Sequence, residues 1–148
     1  LKIDLVPETC WYKGLREQMK RSQWDKLRTR VYADQHNRCA ICGAGGRLNC
    51  HEIWDYDDTR HIQKLLGFQA VCVLCHHVTH FGKAQLLAGQ GRIDLDAVIR
   101  HFLAVNQVDR ESFESHKSAA FRVWRERSCH SWETDLGEWS ALVARKTV

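Results

Sequence analysis

Apolar and polar residues repeat with two periods along this chain, and the switches between them mark its elements. Trp24, Leu27 and Val31 recur at helical spacing and predict a helix. Ser22 opens it as an N-cap, with Asp25 answering three residues on as in a capping box. Before it, residues 15–21 fit a short helix and residues 1–13 an irregular lead-in around Pro7. Arg47 to Trp54 reads as a strand, Asp55 to Thr59 as an acidic loop, and His61 to Val71 as a second extended run. One helix is expected from His76 to about Leu87, where Gly89-Gln90-Gly91 stops it. Asp94 caps another, whose Leu95, Val98, Ile99, Phe102 and Leu103 share one apolar face. Residues 110–127 continue the pattern with Phe113, Ala120 and Trp124 inward. Trp132, Leu136, Trp139 and Val143 suggest a last short helical segment.

Composition narrows this picture to one soluble domain. A single proline and nine glycines in 148 residues leave no room for a long disordered linker. No apolar run is long enough to cross a membrane and no leader pattern is present, so a cytoplasmic protein without membrane contact is expected. The chain begins at Leu1 rather than Met, as part of something longer would. A net charge of +4 permits a polyanionic partner without requiring one. Lys13, Arg16, Lys20, Arg21, Lys26, Arg28 and Arg30 concentrate positive charge before and along the first long helix. That run reads either as a solvated helix face or as a phosphate-contacting arm.

Seven cysteines without a secretion signal cannot all pair as disulfides, and paired knuckles in that setting bind metal more often. Cys39-x-x-Cys42 is followed by Gly43, and Cys72-x-x-Cys75 lies beyond the second strand. Thiolates at i and i+3 of a tight turn reach one ion, so the four can converge on a tetrahedral site. Zn²⁺ is the default ion for four thiolates, and a closed site of this kind is structural. Cys72-Val-Leu-Cys75-His76 also fits c-type haem attachment, and a redox dithiol is a further reading. The upstream knuckle and the lack of a thioredoxin-like βαβ pattern favour zinc. Cys10 and Cys129 are expected to be buried thiols.

A second constellation adjoins the knuckles. His76 and His80 are four apart on a predicted helix and project from one face, and His51 lies on the strand that should pack against it. Three imidazoles beside a structural zinc can hold a second divalent ion and poise a water. Phosphodiester hydrolysis needs both functions. His77 points elsewhere, and His36, His61, His101, His116 and His130 show no matching partner.

These residues resemble the HNH endonuclease family. The pattern is Cys39-x-x-Cys42, then Cys50-His51-Glu52-Ile53, then Leu66 through Cys72-x-x-Cys75-His76-x-x-x-His80, over roughly residues 36–88. Trp11–Arg16 and Trp24–Tyr32 also resemble bacterial stand-alone or fused members. The resemblance implies a ββα-metal finger. The expected fold class is therefore α+β: a zinc-stapled core at 36–88, a basic N-terminal helical arm at 1–35 and a C-terminal helical extension at 92–148, in one compact domain. It also implies cleavage of DNA with Mg²⁺, Mn²⁺ or another divalent ion. His51 falls on the general base, and His76 and His80 on the ligands of the catalytic ion. Arg16, Lys20, Arg21, Lys26, Arg28 and Arg30 would hold the DNA backbone.

Two departures stand out. Cys50 occupies the position where the family commonly carries an acid or a histidine ligand, so Cys50, Glu52 or Asp57 would complete the ion's shell. In a regular strand Cys50 and Glu52 face away from His51. The family's middle Asn has no match, Gln63 and Gln69 being nearest. These departures motivate a rival expectation, a non-catalytic zinc-bound module for nucleic acid or protein. Another is the nuclease part of a larger protein or ribonucleoprotein machine, a CRISPR effector or anti-phage complex, that supplies targeting.

Overall fold

The sheet carries the site. In the computed structural model, which describes residues 1–143, β1 (Leu48–Asp57) and β2 (Ile62–Cys72) pair antiparallel with His51 opposite Gln69. The acidic loop expected at Asp55–Thr59 is shorter, because Asp55 to Asp57 stay in the ladder. The Asp57 carboxylate then caps the turn, accepting the N–H groups of Thr59 and Arg60 at 3.1 and 2.9 Å. Register slips at one point, from Ile53 opposite Gly67 to Trp54 opposite Leu65. The extra Leu66 forms a bulge that increases the hairpin's twist. A short β3 (Glu133–Asp135) adds to β2 in parallel.

Seven helices accompany this three-stranded sheet among the described residues, a mixed α+β arrangement: α1 (Leu15–Gln18), α2 (Arg21–Asp34), α3 (Val73–Thr79), α4 (Phe81–Gly89), α5 (Leu95–Asn106), α6 (Arg110–Ser128) and α7 (Ser140–Val143). Three expectations need correction. α2 starts at Arg21, so Ser22 lies inside it, and the Lys20 N–H is instead satisfied by Gln23 Oε1 at 3.4 Å. The single helix expected from His76 to Leu87 is two, broken at His80 (φ −96°, ψ 51°). There Asp4 N–H takes the Thr79 carbonyl at 2.9 Å, an acceptor that a continuous helix would use itself. Residues 133–135 are extended rather than helical. Glu133 N–H donates to the His61 carbonyl at 2.9 Å, and Gln63 Nε2 to Thr134 Oγ1 at 2.7 Å. Residues 144–148 of the expected extension lie outside the described residues.

Two separate clusters form most of the core, and the first uses one face of the hairpin. There Trp24 of α2 meets Leu15, Met19 and Leu65, with Cys50 and Phe68 beside them. On the other side of the molecule, Val78 and Phe81 pack against Val98, Phe102 and Phe113 of α5 and α6. Asp94 caps α5 as expected, and Asp109 caps α6, for which no cap was expected. Asp94 accepts from Ala97 N–H at 3.2 Å, and Asp109 accepts from Ser112 N–H at 2.8 Å.

Candidate metal centre and histidine cluster

Cys39 and Cys42 lie on the turn before β1, Cys72 ends β2, and Cys75 sits in the first turn of α3. Their four sulfurs lie within 4.8 Å of one another. Gly43 makes the turn at φ +75°, bringing its N–H to the Cys39 carbonyl at 2.8 Å. That conformation costs a side-chain-bearing residue free energy. Cys72 is the N-cap of α3, its Sγ accepting Cys75 N–H at 3.4 Å. The Cys42 and Cys72 sulfurs are 3.7 Å apart, close to the edge of about 3.8 Å of a tetrahedron with Zn–S bonds of about 2.3 Å. All seven cysteines are free, so this group could hold zinc. Burial opposes ionisation of Cys39, but backbone N–H groups, led by that of Cys42, bring it down to about 7. Burial pushes the Cys72 and Cys75 thiols up. These two ionise with an ion present rather than in advance of it.

The second group stands on the other side of α3's first turn. His51 on β1, His76 on α3 and His80 at its C-cap bring one ring nitrogen each within 4.8 Å of the others. Ring centroids are 5.7 Å apart for His51 and His76, 5.0 Å for His51 and His80, and 4.7 Å for His76 and His80. Burial is the main reason all three resist protonation. His51 is lowered, His76 falls to about 4 with help from the neighbouring His51, and His80 is held well below its ordinary value. At neutral pH the cluster presents three uncharged imidazoles, the form that ligates metal or accepts a proton.

The other candidate ligands are not brought to it. Cys50 and Glu52 occupy the opposite face of β1. Cys50 packs beside Trp24, its thiol pushed up to about 12 by burial and then by Glu52. Glu52 accepts Arg16 N–H at 3.1 Å and Trp54 Nε1–H at 3.0 Å. Asp57 serves the hairpin turn at the far end of the strand. Of the two glutamines, Gln63 is committed to Thr134, whereas Gln69 lines one cavity with His51.

Along α2 three arginines of the basic run are ion-paired to two carboxylates of their own helix. Arg21 and Arg28 pair with Asp25, Arg30 pairs with Asp34, and Arg16 lies 5.9 Å over the Trp24 ring. Lys20 and Lys26 are exposed. Several histidines expected to be without partners have them. His116 accepts Ile3 N–H at 2.9 Å, and His61 stacks on His130 at 4.1 Å. Most consequential is His101 of α5, whose Nε2 lies 3.1 Å from Cys75 Sγ. One signal for it was readable: position 101 lies one turn from Val98, beside the apolar stripe of α5 rather than opposite it. Cys10 is buried as expected, but Cys129 is exposed, with its Sγ on the Arg125 carbonyl at 3.2 Å.

No family model, no curated protein and no solved structure matches this chain.

Proposed function

We propose that this chain is a metal-dependent HNH endonuclease that hydrolyses DNA phosphodiester bonds. One observation carries the reading: three neutral imidazoles from β1, α3 and its C-cap meet within 4.8 Å, beside a four-cysteine group to which the start of the same helix contributes Cys75. His76 and His80 would hold a divalent ion, which supplies positive charge for the phosphorane and the leaving oxygen. His51, anchored in the rigid hairpin, takes the proton of the attacking water at its free ring nitrogen. The four cysteines, loaded with zinc, fasten β2 and α3 so that the strand and helix histidines keep their spacing. A modest charge of +4 supports a partner that supplies targeting.

A second reading rests on the same geometry. Because a ring nitrogen of His51 lies within 4.8 Å of those of both His76 and His80, all three can close on one ion and leave no base. The module would then bind without cutting. Supercoiled plasmid incubated with Mg²⁺ or Mn²⁺ decides between them. Nicked or linear product that needs the added ion and drops roughly 10²- to 10⁴-fold in His51→Ala supports the nuclease. Equal inertness of wild type and a folded, zinc-loaded His51→Ala favours the non-catalytic module.

A further inference from the structure

Beside the histidine cluster, and sharing His76 with it, lies a cavity of about 250 Å³. Arg47, Asn49, His76, His77 and Arg92 line it over an aliphatic floor, and no carboxylate does. Three separate elements build it. Asn49 shares with His51 one face of β1, since alternate strand residues point the same way, and Arg47 lies in the bend just before that strand. His76 and His77 are successive residues of α3, and both reach the cavity wall. Arg92 is fixed by the end of α4. Gly91 at φ +67° reverses the chain, Gly91 N–H bonds the Ala88 carbonyl at 2.9 Å, and Arg92 N–H bonds the Leu87 carbonyl at 3.0 Å. This is a Schellman closure, and it sets where Arg92 leaves the helix.

The two arginines differ from those of α2. Both are exposed, and neither has an ion pair or side-chain hydrogen bond among the described residues. Two unneutralised guanidiniums over a cavity without acids form a site for an anion with several acceptor oxygens, which Arg binds bidentately. Lys83 on α4 adds charge near by, acting on His76, His77 and His80. His76 belongs both to this cavity and to the histidine cluster, so an anion here is the immediate neighbour of one held there. A nucleic-acid strand supplies such a pair of adjoining anions.

Resting on the nuclease reading, we propose that Arg47 and Arg92 seat the backbone phosphate adjoining the scissile one, with Asn49 and His77 as further partners. The aliphatic floor takes the intervening sugar. This seat fixes the register of the strand across His51 without reading its bases.

The test measures binding of a labelled DNA oligonucleotide by the full zinc-loaded chain, without added divalent ion, over a series of salt concentrations. Arg47→Ala/Arg92→Ala is expected to weaken binding roughly 10- to 100-fold. Because both side chains serve one phosphate, the slope of log K against log salt should fall by about 1 rather than 2. Arg47→Lys/Arg92→Lys should restore the slope but only part of the affinity. It also keeps the comparison available if the alanine pair loses zinc. Arg21→Ala/Arg28→Ala on α2 should change much less. Unchanged affinity and slope in the alanine pair, with cleavage still dependent on His51, would overturn the seat and leave the nuclease standing. If wild type neither binds nor cuts DNA, both fall together. Saturable binding of inorganic phosphate that the alanine pair loses, with oligonucleotide affinity unchanged, would mark a free-anion pocket and also overturn the proposal.

Discussion

Acidification probes the histidine cluster directly. His76 titrates near 6.5 in the unfolded chain and at about 4 when folded, chiefly because the ring is buried. Between those values the unfolded chain binds a proton that the folded chain does not. Stability from this group is therefore complete above pH 6.5 and is lost as pH falls toward 4. The whole shift is worth roughly 3 kcal/mol, and the part lost between about pH 7 and 5 roughly 2 kcal/mol. His51 and His80 move in the same direction, so the cluster loses more than one ring does. The perturbation is His76→Gln, which keeps a polar side chain and removes the titration. The assay is urea unfolding followed by the fluorescence of the six tryptophans, with wild type and variant compared at each pH. If the cysteine group holds zinc, protonation of its thiolates destabilises both chains at low pH, so the quantity of interest is the difference between them. That gap should narrow by about 2 kcal/mol on going from pH 7 to 5. Curves that fall in parallel would refute a buried neutral His76. A divalent ion that binds the same imidazoles should keep stabilising wild type through that window and lose its effect only as pH falls toward the folded His76 value of about 4, where protons compete for the rings.

Two further outcomes follow from other contacts. His101→Leu removes the ring nitrogen 3.1 Å from Cys75 Sγ, and zinc transfer to a chromogenic chelator should become about 10- to 100-fold more favourable. Phe113→Ala empties a fully buried position between Phe81 and Phe102, at 5.4 and 5.1 Å. It should cost about 3–5 kcal/mol by urea unfolding while leaving zinc content unchanged.

What could be read from residue order depended on range. Each knuckle is a local event, two thiolates three residues apart around one turn, so its geometry is written in four or five residues. His76 and His80 are also close in sequence, and their nearness follows even though the helix ends at His80. The break itself was not legible. Nothing near Thr79 announces it, because the competing donor is the backbone of Asp4, more than seventy residues away. β3 was hidden in the same way. The spacing of Trp132, Leu136 and Trp139 looks helical until the edge of β2, with the His61 carbonyl and Gln63, captures Glu133 and Thr134. The basic run from Lys13 to Arg30 misdirects for a different reason. Charge counting does not see that Asp25 and Asp34 already occupy three of its arginines, whereas the unpaired Arg47 and Arg92 stand alone in sequence.

α3 ties these observations together. It is seven residues long, too short to persist by itself in water, yet it or its caps carry Cys72, Cys75, His76 and His80. Its start is held by the cysteine group, with Cys72 as N-cap. Its end is held from outside the 36–88 segment, by Asp4 on the Thr79 carbonyl, and its buried side rests on α5, from which His101 reaches Cys75. Loss of the ion at the cysteine group would free the helix start and with it the position of His76. Loss of the N-terminal segment would free His80. The histidine spacing is therefore a property of the lead-in, hairpin and α5 acting together, and the flanking segments help build the site that the central motif names.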